Sequence, residues 1–442
     1  MTAPAGLPEA ADLLQKLLRH DTSNPPGQEK ACQDELAGWL QARGFTVERL
    51  ERTSGRPNLL TRLPGRGEAP PLLLYGHVDV VPADPTLWRH PPFGGDLVDG
   101  WLWGRGALDM KGPVAVYAAA LARTRREGLR PAGDVLFAAL ADEEQGGEDG
   151  AAFLVEQHPH LFDGVRHALG EFGGVPRRIM GRTFVPIMVA EKGAVRIRLT
   201  VRGPGGHAAH PVRGGATARL GRLLTILDGF QFPVRLTPPA QGMIEALAGS
   251  APEPAVFALR ALLSPAAADG ALETLGPLAN QLRPLLRDTV APTLVTGSSA
   301  LNVIPDSCTV DLDCRTLPGT TAAHLLDGLR PLLGDEVEIT VLSEEPAPPA
   351  AQAPELFDLL ADVLRKADPE AIPCPLLLSG CTDARHFARL RIQTYGFTPL
   401  PLPPDFEFSS VVHAADERVP VTALEEATKR VLQVLERYGK KA

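Results

Sequence analysis

Between Glu9 and His20 the residues Ala10, Leu13, Leu14, Leu17 and Leu18 recur at helical spacing, so one face of a helix is apolar. The pattern ends at Asp21–Gly27, a stretch dense in turn residues. A second helix is expected over about 29–43, with Gly44 suited to the position just past its end. Short apolar runs then predict strands around 45–50, 58–62 and 72–75, an alanine-rich helix starting near Pro113, and a strand over 134–140. Strands alternating with helices imply an α/β sheet covered on both faces. Ligands of such sheets bind beyond the carboxyl ends of the strands.

From Val195 the period changes. Val195, Ile197, Leu199 and Val201 alternate with Arg196, Arg198 and Arg202, as in a strand with one wet face. An amphipathic helix follows through Leu220, Leu223, Leu224 and Leu227. The stretch 238–292, rich in Ala, Leu and Pro, reads as a helical elaboration. A helix over 322–333 and a strand over 337–342 precede a Pro/Ala/Glu linker at 344–350. Two helices close the chain, one over about 355–366 and a final one. Thr422 and Glu425 are expected to form a capping box on the latter, with Leu424, Ala427, Val431, Val434 and Tyr438 packed inward. No internal repeat is evident.

At 442 residues the chain exceeds one ordinary core, so two domains are expected. A hydrophobic content of 44% and a charged content of 22% place it among globular proteins. The net charge of −9 argues against nucleic acid or an anionic membrane as partner. Cys32, Cys308, Cys314, Cys374 and Cys381 are odd in number and form no CxxC pair, which fits a reducing compartment. The first fourteen residues lack a basic leader pattern, and no apolar run approaches the roughly 20 residues that span a bilayer, so a cytoplasmic location is expected.

The candidate chemistry begins where the run Leu72–Tyr75 meets Gly76 and His77-Val78-Asp79. In an extended chain His77 and Asp79 point the same way, an imidazole ligand beside a carboxylate that can brace it. A second carboxylate, Asp109, sits in the glycine-rich GRGALDMKG before the alanine-rich helix. The plainer alternative is a buried histidine and a helix-capping Asp. The strand 134–140 likewise runs into Asp142-Glu143-Glu144, either a solvated turn or a second set of groups at a strand end.

GHVDVVP and GRGALDMKG together resemble the paired metal-binding motifs of the M20 family of metallopeptidases and aminoacylases, and later motifs extend the resemblance over nearly the whole chain. It implies a zinc-peptidase-like catalytic domain with a mixed sheet flanked by helices, over 1–190 and 344–442. An inserted α+β lid or dimerisation domain over 191–343 would interrupt it. It further implies metal ligands His77, Asp109, Glu144, Glu171 and His413, with Asp109 bridging two ions, zinc foremost and cobalt or manganese as alternatives. Glu143 would be the general acid/base and Asp79 the brace for His77. A cis peptide is expected after Asp109.

Within GPGGHAAHP, His207 would polarise the scissile carbonyl from a partner subunit's lid; the plainer alternative is an ordinary loop histidine, and His210 is the weaker candidate. Asn302 and Arg315, in motifs similar to those of the family's lid, would recognise a substrate carboxylate, and Gly380, in a segment similar to the family's small-residue substrate loop, would be substrate-binding. Histidines 20, 90, 158, 160, 167 and 386 are left as surface or structural, and Trp88, Trp101 and Trp103 as packing around the metal loop. The expected activity is a dinuclear metal-dependent amidohydrolase, a homodimer acting on a peptide or N-acyl amino acid next to a free carboxylate. The alternatives are a dipeptidase or a narrow biosynthetic deacylase of the family, or a non-catalytic binding protein on the same fold.

Overall fold

The computed structural model describes residues 7–403 and 406–440, and the chain divides into two compact units. The first comprises residues 1–189, 351–376 and 382–442; the second comprises 190–350 and 377–381. The leader reading rests partly on residues 1–6, which lie outside the described residues. Among the described residues no helix is long and apolar enough to cross a membrane.

The first unit is built on a mixed sheet. Its strand order is Val47–Leu50, Asn58–Leu63, Val135–Leu140, Leu72–His77, His167–Gly170, Gln393–Gly396, Arg182–Glu191 and Ile372–Leu378. The four central strands run parallel, and antiparallel strands flank them. Leu72–His77 and Val135–Leu140 are buried at every position, as strands covered on both faces require. The helices Glu9–Leu18, Lys111–Arg126, Pro354–Ala367 and Val421–Arg437 pack their apolar faces into one core that includes Leu13, Leu17, Val114, Tyr117, Leu360 and Val431. A smaller core on the other face joins Leu73, Tyr75, Leu136, Phe153 and Phe387. Because His77 is in register with Leu140, the parallel strands end at one edge, and the chain leaves the sheet there toward Glu143 and Glu171. That edge is where the candidate residues collect.

The second unit is a four-stranded antiparallel sheet in the order Thr289–Thr296, Ser307–Thr316, Gly193–Arg202 and Val337–Glu345. Val195, Ile197, Leu199 and Val201 face a core with Leu220, Leu223, Leu325 and Leu329 from the helices Ala216–Asp228 and Ala322–Leu333. On the opposite face Arg198 pairs with Asp311 at 2.7 Å and Arg196 with Asp313 at 2.8 Å.

Three expectations need correction. The stretch 238–292 is helical only to Leu285; Thr289 opens an edge strand, and Pro292 is tolerated there beside a bulge. The strand from Val337 runs on to Glu345, into the expected linker. The final helix starts at Val421 after Pro420, with no side-chain cap, so Thr422 and Glu425 do not form a capping box. The Val421 N–H instead donates to Gly100 O at 2.9 Å, and Glu425 accepts from Arg123.

Candidate metal centre

His77 ends its strand with the ring almost wholly enclosed. Its Nδ1 lies 3.0 Å from the Asp79 carbonyl oxygen and 3.5 Å from the Asp79 carboxylate. A hydrogen bond to that carbonyl places the ring proton on Nδ1 and leaves Nε2 as the ligand atom. Nε2 stands 3.2 Å from Asp109 Oδ1 and 3.6 Å from Glu171 Oε2. His413, in the left-handed backbone region at φ 59°, points its own Nε2 at the other side of the group. It lies 3.2 Å from Asp109 Oδ2 and 3.3 Å from Glu144 Oε2. The two oxygens of Asp109 therefore face two different imidazoles.

Ligand atoms about 2.0–2.1 Å from a tetrahedral ion are about 3.3 Å from one another, the spacing found here. Glu144 Oε1 and Glu171 Oε1 are buried without a hydrogen-bond partner among the described residues, an arrangement that a cation would satisfy. Two imidazoles and three carboxylates thus fit a pair of divalent ions in donor type and spacing. His77, Asp109 and Glu171 would hold one, and Asp109, Glu144 and His413 the other. Glu143 stands further out, its Oε2 4.0 Å from His77 Nε2.

Electrostatics follow this geometry. Burial pushes the Asp109 carboxyl up, but hydrogen bonds from His413 and His77 outweigh it and hold it below the usual carboxylate range. Hydrogen bonds to Asp109 and Glu144 lift His413 to about 10. Burial, with Glu171 nearby, pushes the Glu143 carboxyl well above its ordinary value despite the opposing His77.

The local alternatives fail on burial and capping. Asp109 caps no helix, since Lys111–Arg126 has Met110 at its N-cap. Glu144 and Glu171 are buried, and Glu143 nearly so, not solvated. The Asp109–Met110 peptide is cis.

Asp79 does more than face His77. Its Oδ1 accepts from the Glu143 N–H and its Oδ2 from the Glu144 N–H, both at 3.1 Å, and Asn24 Nδ2 donates to Oδ2 at 2.9 Å. Asn24 also donates to Asp142, whose carboxylate takes Arg56; Arg56 in turn is held by Glu29 at 2.6 Å. Asp142 appeared in the sequence only as part of the Asp142-Glu143-Glu144 run, and none of Asn24, Arg56 or Glu29 stood out beyond the turn cluster around Asn24.

Asp383, from the segment SGCTDAR, was missed too. Among the described residues neither of its buried oxygens has a hydrogen-bond partner, and burial raises its carboxyl to about 7. It sits on Gly147, at φ 76°, where a Cβ would come within 2.6 Å of Asp383 Oδ1. Arg385 and His386 clamp the same turn through Gly146 O.

The remaining candidates lie on the second unit. His207 is exposed, on a two-residue strand Gly206–His207 paired with Val303–Ile304, and the Ala208 N–H donates to Asn302 O at 2.9 Å. The GPGGH and NVIP segments are thereby brought together. The Ala209 N–H donates to His207 Nδ1 at 3.1 Å, so the ring proton of the neutral form sits on Nε2. Arg315 forks onto Asp313 at 2.8 and 3.2 Å and reaches Cys381 Sγ at 3.4 Å. Gly380 stands beside that cysteine in the segment 377–381.

Over residues 73–437 the sequence matches the family described as Peptidase family M20/M25/M40. It is 29% identical over 444 residues to the succinyl-diaminopimelate desuccinylase of Paracoccus denitrificans, covering 98% of this chain and 99% of that one. It is also 29% identical over 386 residues to the mouse N-fatty-acyl-amino acid synthase/hydrolase PM20D1, covering 83% of this chain and 74% of the relative. In fold it resembles the M20 family metallo-carboxypeptidase Sso-CP2 of Sulfolobus solfataricus, with a TM-score of 0.73 at 18% identity over 98% of this chain and 99% of that one. The chain belongs to peptidase family M20/M25/M40 and is a hydrolase of amide bonds.

Proposed function

We propose that the protein is a dinuclear metal-dependent amidohydrolase that cleaves an N-acyl amino acid or short peptide next to a free carboxylate. The observation carrying this reading is Asp109, whose two oxygens each face a separate imidazole–carboxylate pair. When bound, two divalent ions, zinc foremost, supply Lewis acidity toward the scissile carbonyl and a water that is nucleophilic at neutral pH.

Glu143 would take a proton from the attacking water as its oxygen bonds to the scissile carbon, and return it to the amide nitrogen as the C–N bond breaks. Burial raises this carboxyl above its ordinary value, which suits a group that accepts a proton and then returns it. Asp79 keeps Glu143 and Glu144 in place through their backbone N–H groups. His207, with its proton on Nε2, donates to the carbonyl oxygen as negative charge develops there. Arg315 and Asn302 form the carboxylate subsite, where an incoming carboxylate shares Arg315 with Asp313, and Gly380 lies on the substrate loop beside it. The inserted unit serves as a lid in a cytoplasmic homodimer, each lid contributing His207 to the neighbouring subunit's centre.

Two relatives named for N-acyl amino acid chemistry support N-acyl amino acids as the leading substrate class. The test is amine release from a panel of N-acyl amino acids, dipeptides and their C-terminal amides. Chelated protein would be reloaded with zinc, cobalt or manganese beforehand. Turnover should need metal and favour the free carboxylates. Two bound ions without amine release from any panel member would overturn the proposal.

A further inference from the structure

Glu417 lies four residues after His413 and is fully buried, and its carboxylate is filled by a loop some three hundred residues earlier. Oε1 accepts from the N–H groups of Leu108 at 2.7 Å and Asp109 at 3.1 Å. Oε2 accepts from the Gly106 N–H at 3.0 Å and from Arg105 Nη1 at 2.8 Å. Its own carbonyl takes the Gly104 N–H at 3.0 Å. One side chain thus satisfies three backbone donors, those of Gly106, Leu108 and Asp109, in a tight loop that carries the shared carboxylate.

The other end of the loop is fastened as well. Arg418–Pro420 pairs with the strand Trp101–Trp103, and the Arg418 guanidinium lies 4.6 Å from the Trp103 ring centroid. His77, Glu144 and Glu171 take their positions from strand ends and from Asp79 instead. The clasp holds the Asp109 loop directly, and it joins that loop to the segment carrying His413, which Asp416 also ties to Arg89.

We propose that Glu417 is a positioning residue that holds the Asp109 loop and the His413 loop as one piece. It thereby governs affinity for the ion held by Asp109, Glu144 and His413 more than for the ion held by His77, Asp109 and Glu171. The inference rests on the dinuclear reading above. Replacing carboxylate by amide in the same shape sets an NH2 group against two donors whichever way it turns. It would face either Gly106 N–H and Arg105, or Leu108 N–H and Asp109 N–H. The loop must then shift, and the two ligands lose their fixed separation.

The experiment is a stepwise Co²⁺ titration of ion-free protein by visible absorption and calorimetry. Glu144→Ala and Glu171→Ala identify which step belongs to which site. Glu417→Gln should weaken the Asp109–Glu144–His413 step by about 10–100-fold, the usual effect of losing a partner behind a ligand, and the other step, which shares Asp109 but not His413, by clearly less. Its kcat should fall while KM holds, because Glu417 touches no substrate. Glu417→Asp, which keeps the charge but reaches less far, should lie between. Unchanged affinities, or a parallel fall at both sites, would overturn the role. If Glu417→Gln yields no folded protein, Glu417→Asp decides by the same criterion. A wild-type protein that binds fewer than two ions would sink the dinuclear reading itself, a result separate from the variants.

Discussion

Replacing Asp79 by Asn tests whether the carboxylate beneath the Glu143–Glu144 turn organises the centre. The side chain is fully buried and accepts three hydrogen bonds, from Glu143 N, Glu144 N and Asn24 Nδ2. An asparagine keeps the shape but has one acceptor oxygen. The better orientation puts that oxygen at the Oδ2 position, where it serves Glu144 and Asn24, and turns its NH2 toward the Glu143 N–H. One buried donor is then unsatisfied, which costs about 1–3 kcal/mol. The two remaining bonds lose their charge assistance, at about 1 kcal/mol each.

The sum, about 3–5 kcal/mol, can be relieved only by moving the turn that carries Glu143 and Glu144. A displacement of about 1 Å in a catalytic group costs on the order of 100-fold in rate. Asp79→Asn should therefore lower kcat about 100-fold and weaken metal binding, and the ion-free protein should unfold at lower urea. Steady-state kinetics, calorimetric metal titration and urea denaturation read the three effects separately. A variant with wild-type kcat and unchanged urea midpoint would refute the assignment.

The adjacent glutamates should separate by phenotype. Glu143→Ala should keep both ions and lose several orders of magnitude in kcat, whereas Glu144→Ala should lose metal, as elemental analysis of the purified variants will show. The ion-free protein should also respond to pH through His413. Its folded value of about 10 exceeds the ordinary 6.5, so this stabilisation is complete below about pH 6.5 and is lost as pH rises through about 10. Urea midpoints of chelated protein should fall over that window, and zinc added at pH 8 should release protons, seen as buffer-dependent heat in calorimetry. Finally, mixing His207→Ala with Glu143→Ala chains should restore activity toward about one quarter of wild type, since half of randomly formed dimers are mixed and each has one intact site. No recovery despite proven subunit exchange would place His207 in its own chain's site or outside catalysis.

Much of this centre was legible because it is written locally. An apolar run of strand length, followed at once by a chemically loaded residue, marks His77, the Glu143–Glu144 turn and Glu171 without any knowledge of what pairs with what. The helical and alternating periods likewise placed the helix at 322–333 and the strand from Gly193, because burial of one face is imposed on neighbours in sequence. The errors came where a local signal competed with a distant partner. Thr422 and Glu425 have capping-box spacing, but the first N–H of that helix is met by Gly100, some three hundred residues away. Thr289–Thr296 follows a run of Ala- and Leu-rich helices, but its own Thr and Val residues suit a strand, and pairing with Ser307–Thr316 makes it an edge strand.

The chain alone thus determined which residues could act and at which strand ends they stand. Only the folded structure decided how Asp109 divides its two oxygens between His77 and His413, and how Asp79 and Glu417 hold the turns that carry the candidate ligands. The physical reason is that these supports are carboxylates accepting backbone N–H groups. Any residue's N–H can serve, so the partner leaves no trace in the sequence, and the bond exists only after long-range packing has excluded the water that would otherwise take its place.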